Sequence, residues 1–342
     1  MQPIMTARIF RLFIPLLAVA AAALCSMAII ALSGRDPLMI CEKLFRATFA
    51  SGYGAGQVLF KTTTLIFTGL AVALPFRARL FNVGGEGQLQ LAALAAAITG
   101  ALLPESLPPV VAVLFSAFAA MAAGGLWGAS AGLLKVRFGV NEVISTIMLN
   151  FIAQAATGYL MSWRFAEPST GHTAETGGAF MLPQIDDLFG LFAGSPANIS
   201  LLIALGTALC AALYLFRSRA GYELQAVGLQ PEAAKYAGIQ SGRHVTAVMG
   251  LAGAIAGLGA LNLVSGYKHY YEAGLTGGFG FSGIAVALLA GANPLWIVPA
   301  ALFFGLLEYG GLAVGAYVPK DIFMIIQALT ILIVIVLNAR KP

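Results

Sequence analysis

The stretch Pro109-Val-Val-Ala-Val-Leu-Phe-Ser-Ala-Phe-Ala-Ala-Met-Ala-Ala-Gly-Gly-Leu-Trp-Gly-Ala-Ser-Ala-Gly-Leu-Leu134 contains no ionisable side chain and ends at Lys135. A helix that crosses a bilayer needs about 20 mainly apolar residues. Lipid offers no partner to backbone N–H and C=O groups, so a run of this kind must be helical. Working outward, comparable stretches lie near 9–32, 58–76, 88–104, 141–162, 198–216, 245–266, 281–292, 295–316 and 321–338. Of the 342 residues 59% are hydrophobic and 10% charged, against about 25% charged in soluble proteins. The expectation is an all-α polytopic membrane protein, one transmembrane domain over 1–342 with about ten transmembrane helices.

Inside the quoted stretch, Gly124, Gly128 and Gly132 recur every four residues. Small residues at that spacing let two membrane helices approach closely, so the three are read as helix packing. The string Gly128-Ala-Ser-Ala-Gly132 also spells a nucleophile elbow, but that motif needs a strand before it and a helix after it. Gly278-Phe-Gly-Phe-Ser-Gly283 spells a dinucleotide fingerprint without the βαβ unit such a fingerprint requires. No G-x-x-x-x-G-K-[ST] sequence occurs, so the chain cannot hydrolyse ATP through a P-loop of its own. Cys25, Cys41 and Cys210 are far apart and suggest neither a metal site nor a disulfide framework. The first apolar stretch exceeds the 7–15 residues of a signal peptide's apolar core and is read as an uncleaved span.

The positive-inside rule places Arg8, Arg11, Arg77, Arg79, Lys135, Arg137, Arg217, Arg219, Lys235, Arg243, Arg340 and Lys341 in the cytoplasm, with both termini. The 163–197 loop then falls outside, and it is acidic: Glu167, Glu175, Asp186 and Asp187 stand against one arginine. The net charge of +5 follows from this topology and says nothing about nucleic acid.

The longest polar island is 217–243, read as a cytoplasmic loop that touches a partner. Pro231 suits a first helical position, Glu232 the positive first turn, Lys235 the negative end, and Gly238 a helix stop. A short capped helix over 231–237 is expected. Ala233, Ala234 and Ala237 would offer a low-relief surface to a partner's groove, and Tyr236 one larger anchor.

Two glycine-rich turns resemble each other. Leu80-Phe-Asn-Val-Gly-Gly-Glu-Gly-Gln-Leu89 opens a short run of small residues ending at Pro104, and Gly277-Gly-Phe-Gly-Phe-Ser-Gly283 opens another ending at Pro294. In the topology above they run antiparallel, as expected of inverted repeats with broken helices at their interface. A polar solute would meet unwound backbone and helix N-termini there. The few polar residues of the spans become candidates for the path, because an ionisable group at membrane depth is expensive unless paired or wetted. They are Glu86, Gln88, Asn141, Glu142, Asn150, Asn262 and Glu308, with Asn150 on the same helix face as Glu142. Pairing of Glu142 with Arg137, and of Glu86 with Arg77 or Arg79, is the competing structural account.

The string Phe81-Asn-Val-Gly-Gly-Glu-Gly-Gln88 resembles the signature of bacterial ABC importer permeases of the nucleoside and simple-sugar type, which are related to branched-chain amino acid permeases. Asn141-Glu-Val-Ile-Ser-Thr-Ile-Met-Leu-Asn150, Ala226-Val-Gly-Leu-Gln-Pro-Glu-Ala-Ala-Lys-Tyr-Ala-Gly-Ile239 and Gly280-Phe-Ser-Gly-Ile-Ala-Val-Ala-Leu-Leu289 with Asn293-Pro294 fit the same pattern. The resemblance covers about residues 60–310 in order. Gln225 stands where relatives often carry Arg, and Phe151 where Tyr is common.

This resemblance implies a single permease domain in the bacterial inner membrane that forms half of a pore. Its partners would be a second, similar permease, cytoplasmic ATPase subunits holding ATP and Mg, and an external solute-binding lipoprotein; no cofactor is implied on this chain. The 217–243 island becomes the coupling segment, with Glu223 and the residues from Pro231 to Gly238 moved as a rigid body when the ATPases close. Asn82, Glu86, Asn141, Glu142, Phe279 and Phe281, together with Gln88, Asn150 and Ser282, become the translocation path; phenylalanine faces suit a nucleoside's rings, and amides and carboxylates its hydroxyls. Solutes left open are nucleosides, nucleobases, sugars and flavin-like compounds. An ion-driven secondary transporter shares buried carboxylates and inverted repeats but does not require the polar helix at 231–237. A membrane scaffold without transport does not require polar residues concentrated at two glycine-rich turns.

Overall fold

The computed structural model describes residues 34–318 without a break, and scattered residues between 20 and 32 and between 322 and 333. The helices are α1 (Pro37–Phe49), α2 (Gly52–Phe76), α3 (Gly85–Leu102), α4 (Pro109–Phe138), α5 (Glu142–Leu160), α6 (Ile185–Phe189), α7 (Ser200–Arg217), α8 (Arg219–Leu229), α9 (Pro231–Tyr236), α10 (Ser241–Ala260), α11 (Phe279–Leu289) and α12 (Pro294–Ala313). α5 and α10 each run on into a π-helical segment, Met161–Phe165 and Leu261–Lys268. No named strand occurs among the described residues, only isolated bridges such as His172 with Glu272.

Six of these helices are long and apolar enough to cross a membrane: α2, α4, α5 with its π segment, α7, α10 with its π segment, and α12. The expected count of ten is therefore not reached among the described residues. The stretch 281–292 forms only α11, whose 11 residues at 1.5 Å each span about half of a hydrocarbon core of about 30 Å. The stretch 88–104 belongs to α3, which begins at Gly85 and carries Glu86, Gln88 and Gln90 in its first turns. The stretches 9–32 and 321–338 lie largely outside the described residues. α1, capped by Asp36 accepting from Leu38 N at 2.9 Å, was not anticipated.

Burial separates central from peripheral helices. Of the apolar windows, 89% is buried in α2 and 72% in α10, but 22% in α4 and 28% in α5, so α2 and α10 form the centre and α4 and α5 show an outer face to lipid or to partners. α4 reaches α10 through the expected glycines. A Cβ on Gly124 would lie 2.3 Å from Gly253 O, one on Gly128 2.3 Å from Met249 O, and one on Gly132 2.8 Å from the Thr246 Cα. α10 reciprocates: a Cβ on Gly253 would lie 2.0 Å from Gly124 O. The two backbones are in contact along this stripe, where a Gly-x-x-x-Gly spacing removes the side chains that would hold them apart.

The π segment of α10 carries a buried polar knot. Asn262 donates to Phe60 O at 2.9 Å and Thr64 Oγ1 at 2.8 Å, and accepts from Asn198 Nδ2 and Ser200 Oγ, both at 2.9 Å. Asn262, read from sequence as a path candidate, thus fastens α10 to α2 and to the start of α7. The 163–197 segment packs over the same end, with Thr176 N bonded to His269 O, Leu182 N to Ser265 O and Gly177 N to Gly100 O. At the opposite end, Gly228 lies against Arg77 and Ala78, Gly242 against Val136, and Arg77 Nε donates to Ala292 O at 2.8 Å. The basic segments near 77, 135 and 217–243 and the turn at 292 therefore share one end of the molecule.

Gly128→Val should destabilise the protein by about 1–3 kcal/mol through overpacking against Met249 O. Gly158→Ala, where an added Cβ meets nothing within 4 Å, should be neutral; thermal unfolding of the two variants in detergent checks the contrast.

Candidate functional site

After α2 the chain turns at Arg77–Leu80 and enters an irregular segment that carries Asn82. Asn82 is fully buried and forms a reciprocal amide pair with Gln88, its Nδ2 donating to Gln88 Oε1 at 3.1 Å and its Oδ1 accepting from Gln88 Nε2 at 3.2 Å. Asn82 also accepts from Gly84 N at 3.0 Å and donates to Ala71 O at 3.2 Å. α5 supplies the other side: Asn150 Oδ1 accepts from Gly87 N at 2.9 Å, Asn150 Nδ2 donates to Val83 O at 2.9 Å, and Val83 N donates to Thr146 Oγ1 at 3.3 Å. The glycines are needed for contact, since a Cβ on Gly87 would come within 3.0 Å of Asn150 and Ala153.

The second glycine-rich turn comes to this same place. Gly274, Gly277 and Gly278 have φ of +85°, +53° and +84°, a region that glycine enters without the Cβ penalty. They deliver the N-terminus of α11 to that of α3, where a Cβ on Gly280 would lie 2.1 Å from Glu86 N. The Glu86 carboxylate spans the junction. Its Oε1 accepts from Thr276 Oγ1 at 2.5 Å and from Gly278 N at 3.2 Å, and its Oε2 accepts from Gly280 N at 2.8 Å.

Beside this junction is a cavity of about 310 Å³ lined by Glu86 and Gln90 of α3, Ile147, Asn150, Phe151 and Gln154 of α5, and the Gly274–Gly278 turn with Phe281 of α11. Of the residues expected on the path, Glu86, Asn150 and Phe281 line it. Asn82 and Gln88 are instead absorbed in their amide pair. Asn141 caps α5, accepting from Val143 N and Ile144 N. Glu142 is paired with Lys135 at 2.6 Å, rather than with the Arg137 considered from sequence. Phe279 is buried with Lys61 5.4 Å above its ring, and Ser282 donates to Glu308 at 3.4 Å on the side facing α12. Sequence reading missed Gln90, Phe151, Gln154 and Thr276 as lining residues. Gln154 was legible, four residues beyond Asn150 on the same face of α5.

The polar island holds two helices, not one. α8 is capped by Ser218, which accepts from Gly221 N at 3.0 Å. α9 follows with Pro231 at its first position, Glu232 in its first turn, Lys235 in its last, Ala237 at the C-cap and Gly238 at φ +81°, as the sequence predicts. Tyr236 is 91% exposed, and Ala233 and Ala237 are exposed beside it. Ala234 is 4% exposed and packs inward, so it is removed from the partner-facing surface; its backbone accepts from Ile239 N. Glu223 binds Arg219 at 2.7 Å and His244 at 3.0 Å, and Arg219 and then His244 hold its carboxyl below the usual carboxylate range. Gln225 donates to Leu215 O at 2.7 Å, tying α8 to α7.

Two helices that begin at one buried junction, with a cavity lined by both polar and aromatic side chains beside it and an exposed capped helix at one end, suit a transporter's membrane subunit. Residues 54–335 match the family described as branched-chain amino acid transport system / permease component. The chain belongs to this permease family. It is 35% identical to the guanosine ABC transporter permease protein NupP of Bacillus subtilis, over 96% of this chain and 94% of that protein. It is 34% identical to a glucose ABC transporter permease protein of Haloferax volcanii, over 94% of this chain and 86% of that one. The nucleoside ABC transporter permease protein NupB of Lactococcus lactis is 30% identical over 95% and 91%. The chain is accordingly a multi-pass permease subunit of an ABC transporter and not an enzyme, and its ATPase and solute-binding partners are separate subunits.

Asn150→Ala leaves Gly87 N and Val83 O unpartnered in a buried turn, at about 1–3 kcal/mol for each. The permease should unfold at a distinctly lower temperature than Asn141→Ala, which loses only a helix cap worth about 1 kcal/mol; differential scanning of the detergent-solubilised variants makes the comparison.

Proposed function

We propose that this permease carries a nucleoside into the cytoplasm as part of an ATP-driven importer of a bacterial inner membrane. The observation that carries the reading is the composition of the cavity. It combines aromatic faces, Phe281 at 48% exposure and Phe151 at 61%, with Glu86, Gln90, Asn150 and Gln154 as polar groups around the same space. A nucleoside presents a flat base to the former and hydroxyls and base-edge donors and acceptors to Gln90 and Gln154, whose side chains are not spent on the junction as those of Glu86 and Asn150 are. The cavity's volume lies at the small end of the range for small-molecule sites. The guanosine and nucleoside permeases among the relatives support this solute class.

Phe151, which lines the cavity, shares an exposed face of α5 with Ile144 and Met148. A second, similar permease covering that face would close the path, each subunit supplying half of the wall. The end holding the basic turns and α9 is cytoplasmic on the positive-inside rule, which puts both termini there. ATP and Mg bind to the partner ATPases, and α9 receives their motion through Ala233, Tyr236 and Ala237. The closing of the ATPases rocks the spans between outward-open and inward-open arrangements.

Uptake of radiolabelled guanosine by cells expressing this chain with its partners should cease on ATP depletion and survive an ionophore. Loss with the ionophore alone would instead identify an ion-driven carrier. Ala237→Arg, placed on the exposed surface of α9, should abolish uptake while membrane insertion stays normal, and normal uptake by that variant would remove α9 as the coupling element.

A further inference from the structure

Glu86 is the one acidic group lining the cavity, which makes it the obvious candidate to bind solute. Its hydrogen bonds give a different assignment. Both carboxylate oxygens are engaged, one by Thr276 Oγ1 and Gly278 N, the other by Gly280 N. All three donors lie within the five residues that enter α11, and Glu86 itself sits in the first turn of α3. Charge-assisted bonds of this kind are short and strong, and a carboxylate between two helix N-termini is favoured by both dipoles. Among the described residues, no other charge-assisted hydrogen bond holds the turn on that side. Its residues Gly274, Gly277 and Gly278 have left-handed φ values, and Gly274 and Gly277 are exposed to the cavity.

We propose that Glu86 is a positioning residue, a latch that clamps the Gly274–Gly280 turn to α3 and thereby sets how far the cavity is open, and that releasing it lets α11 move during transport. The assignment rests on the reading of the cavity as the transport path, but not on which solute passes. The turn supplies one cavity wall, so displacing it by the length of a hydrogen bond changes access to Phe281 and to the space beside Gln90. Glycines let the turn take up that displacement with little steric resistance.

The latch makes a prediction that a solute-binding role does not. In a complex whose permease carries Cys25→Ser, Cys41→Ser and Cys210→Ser, a thiol introduced as Phe281→Cys should react with a membrane-impermeant maleimide at least about fivefold faster when Glu86→Gln is added, with no solute present, because the amide retains a single acceptor oxygen for three donors. Glu86→Asp, which keeps the charge but is one methylene too short to reach all three, and Thr276→Val should each accelerate labelling. The Glu86→Gln, Thr276→Val double variant should label no faster than the quicker single variant, the non-additivity expected of groups in one network. In a complex retaining Phe281, Glu86→Gln should lower the maximal rate of guanosine uptake about tenfold or more with KM little changed, the pattern of a lost conformational step. Unchanged labelling in all variants, or additive acceleration in the double variant, would overturn the latch, as would a raised KM at unchanged maximal rate, which would make Glu86 a solute ligand. Absence of guanosine uptake by the unmodified complex would count against the nucleoside reading alone, because the labelling arm contains no solute.

Discussion

A helix that starts inside a bilayer leaves its first amide groups without partners, and in hydrocarbon each unsatisfied group costs several kcal/mol. This permease starts two helices, α3 and α11, at one interior point, and what surrounds them can be understood as the solution to that problem. Asn82 and Gln88 lock together and take Gly84 N; Asn150 takes Gly87 N and returns a donor to Val83 O; Glu86 takes Gly278 N and Gly280 N. The polar residues that mark the site in sequence are therefore mostly spent on backbone. That leaves a smaller set, Gln90, Gln154 and the rings of Phe151 and Phe281, with side chains on the cavity and no hydrogen bond to the junction.

The same constraint explains the glycines. Bringing two N-termini, a turn and α5 within hydrogen-bonding distance of one another leaves no room for Cβ atoms at Gly87 or Gly280. The frame around the junction must also be stiff enough to hold it. α10 meets α4 with backbone in contact along Gly124, Gly128 and Gly132, and is bound to α2 through Asn262. With lipid outside there is no hydrophobic drive to press helices together, so close contact and interior hydrogen bonds supply the cohesion. Asn262 belongs to this frame and lies apart from the cavity lining.

Several features were legible because they are local. Apolar length identifies the spans, spacing identifies the glycine stripe, and Pro231, Glu232, Lys235 and Gly238 identify α9 residue by residue. Less legible were the partners that the fold gives to polar candidates. Asn82 pairs with Gln88, Asn141 caps α5 and Glu142 binds Lys135, all within 11 residues in sequence but across turns whose geometry residue type alone does not give. Ala234 looks like its neighbours Ala233 and Ala237 until the fold turns it inward. Phe151 and Thr276 carry no polar signal strong enough to stand out in an apolar helix or a glycine-rich turn, and only the cavity reveals them. The count of ten is not reached among the described residues for a related reason: composition marks α11 as apolar but does not say that it ends after 11 residues.

The contacts at the basic end connect α9 to the junction. α9 is continuous with α8 through Gln230, and α8 lies with Gly228 directly against Arg77 and Ala78, where an added Cβ would fall 2.5 Å from Arg77 O. That turn ends α2 and feeds the segment bearing Asn82. Arg77 also grips Ala292 O, just beyond the far end of α11. A displacement of α8 therefore bears on one residue pair that is attached, within a few residues, to the beginning of α3 and to the end of α11. Packed interfaces of this kind shift between discrete arrangements rather than deforming smoothly, so the two broken helices are placed to move relative to each other. Their shared N-terminal junction is bridged by the Glu86 carboxylate and walled by glycines.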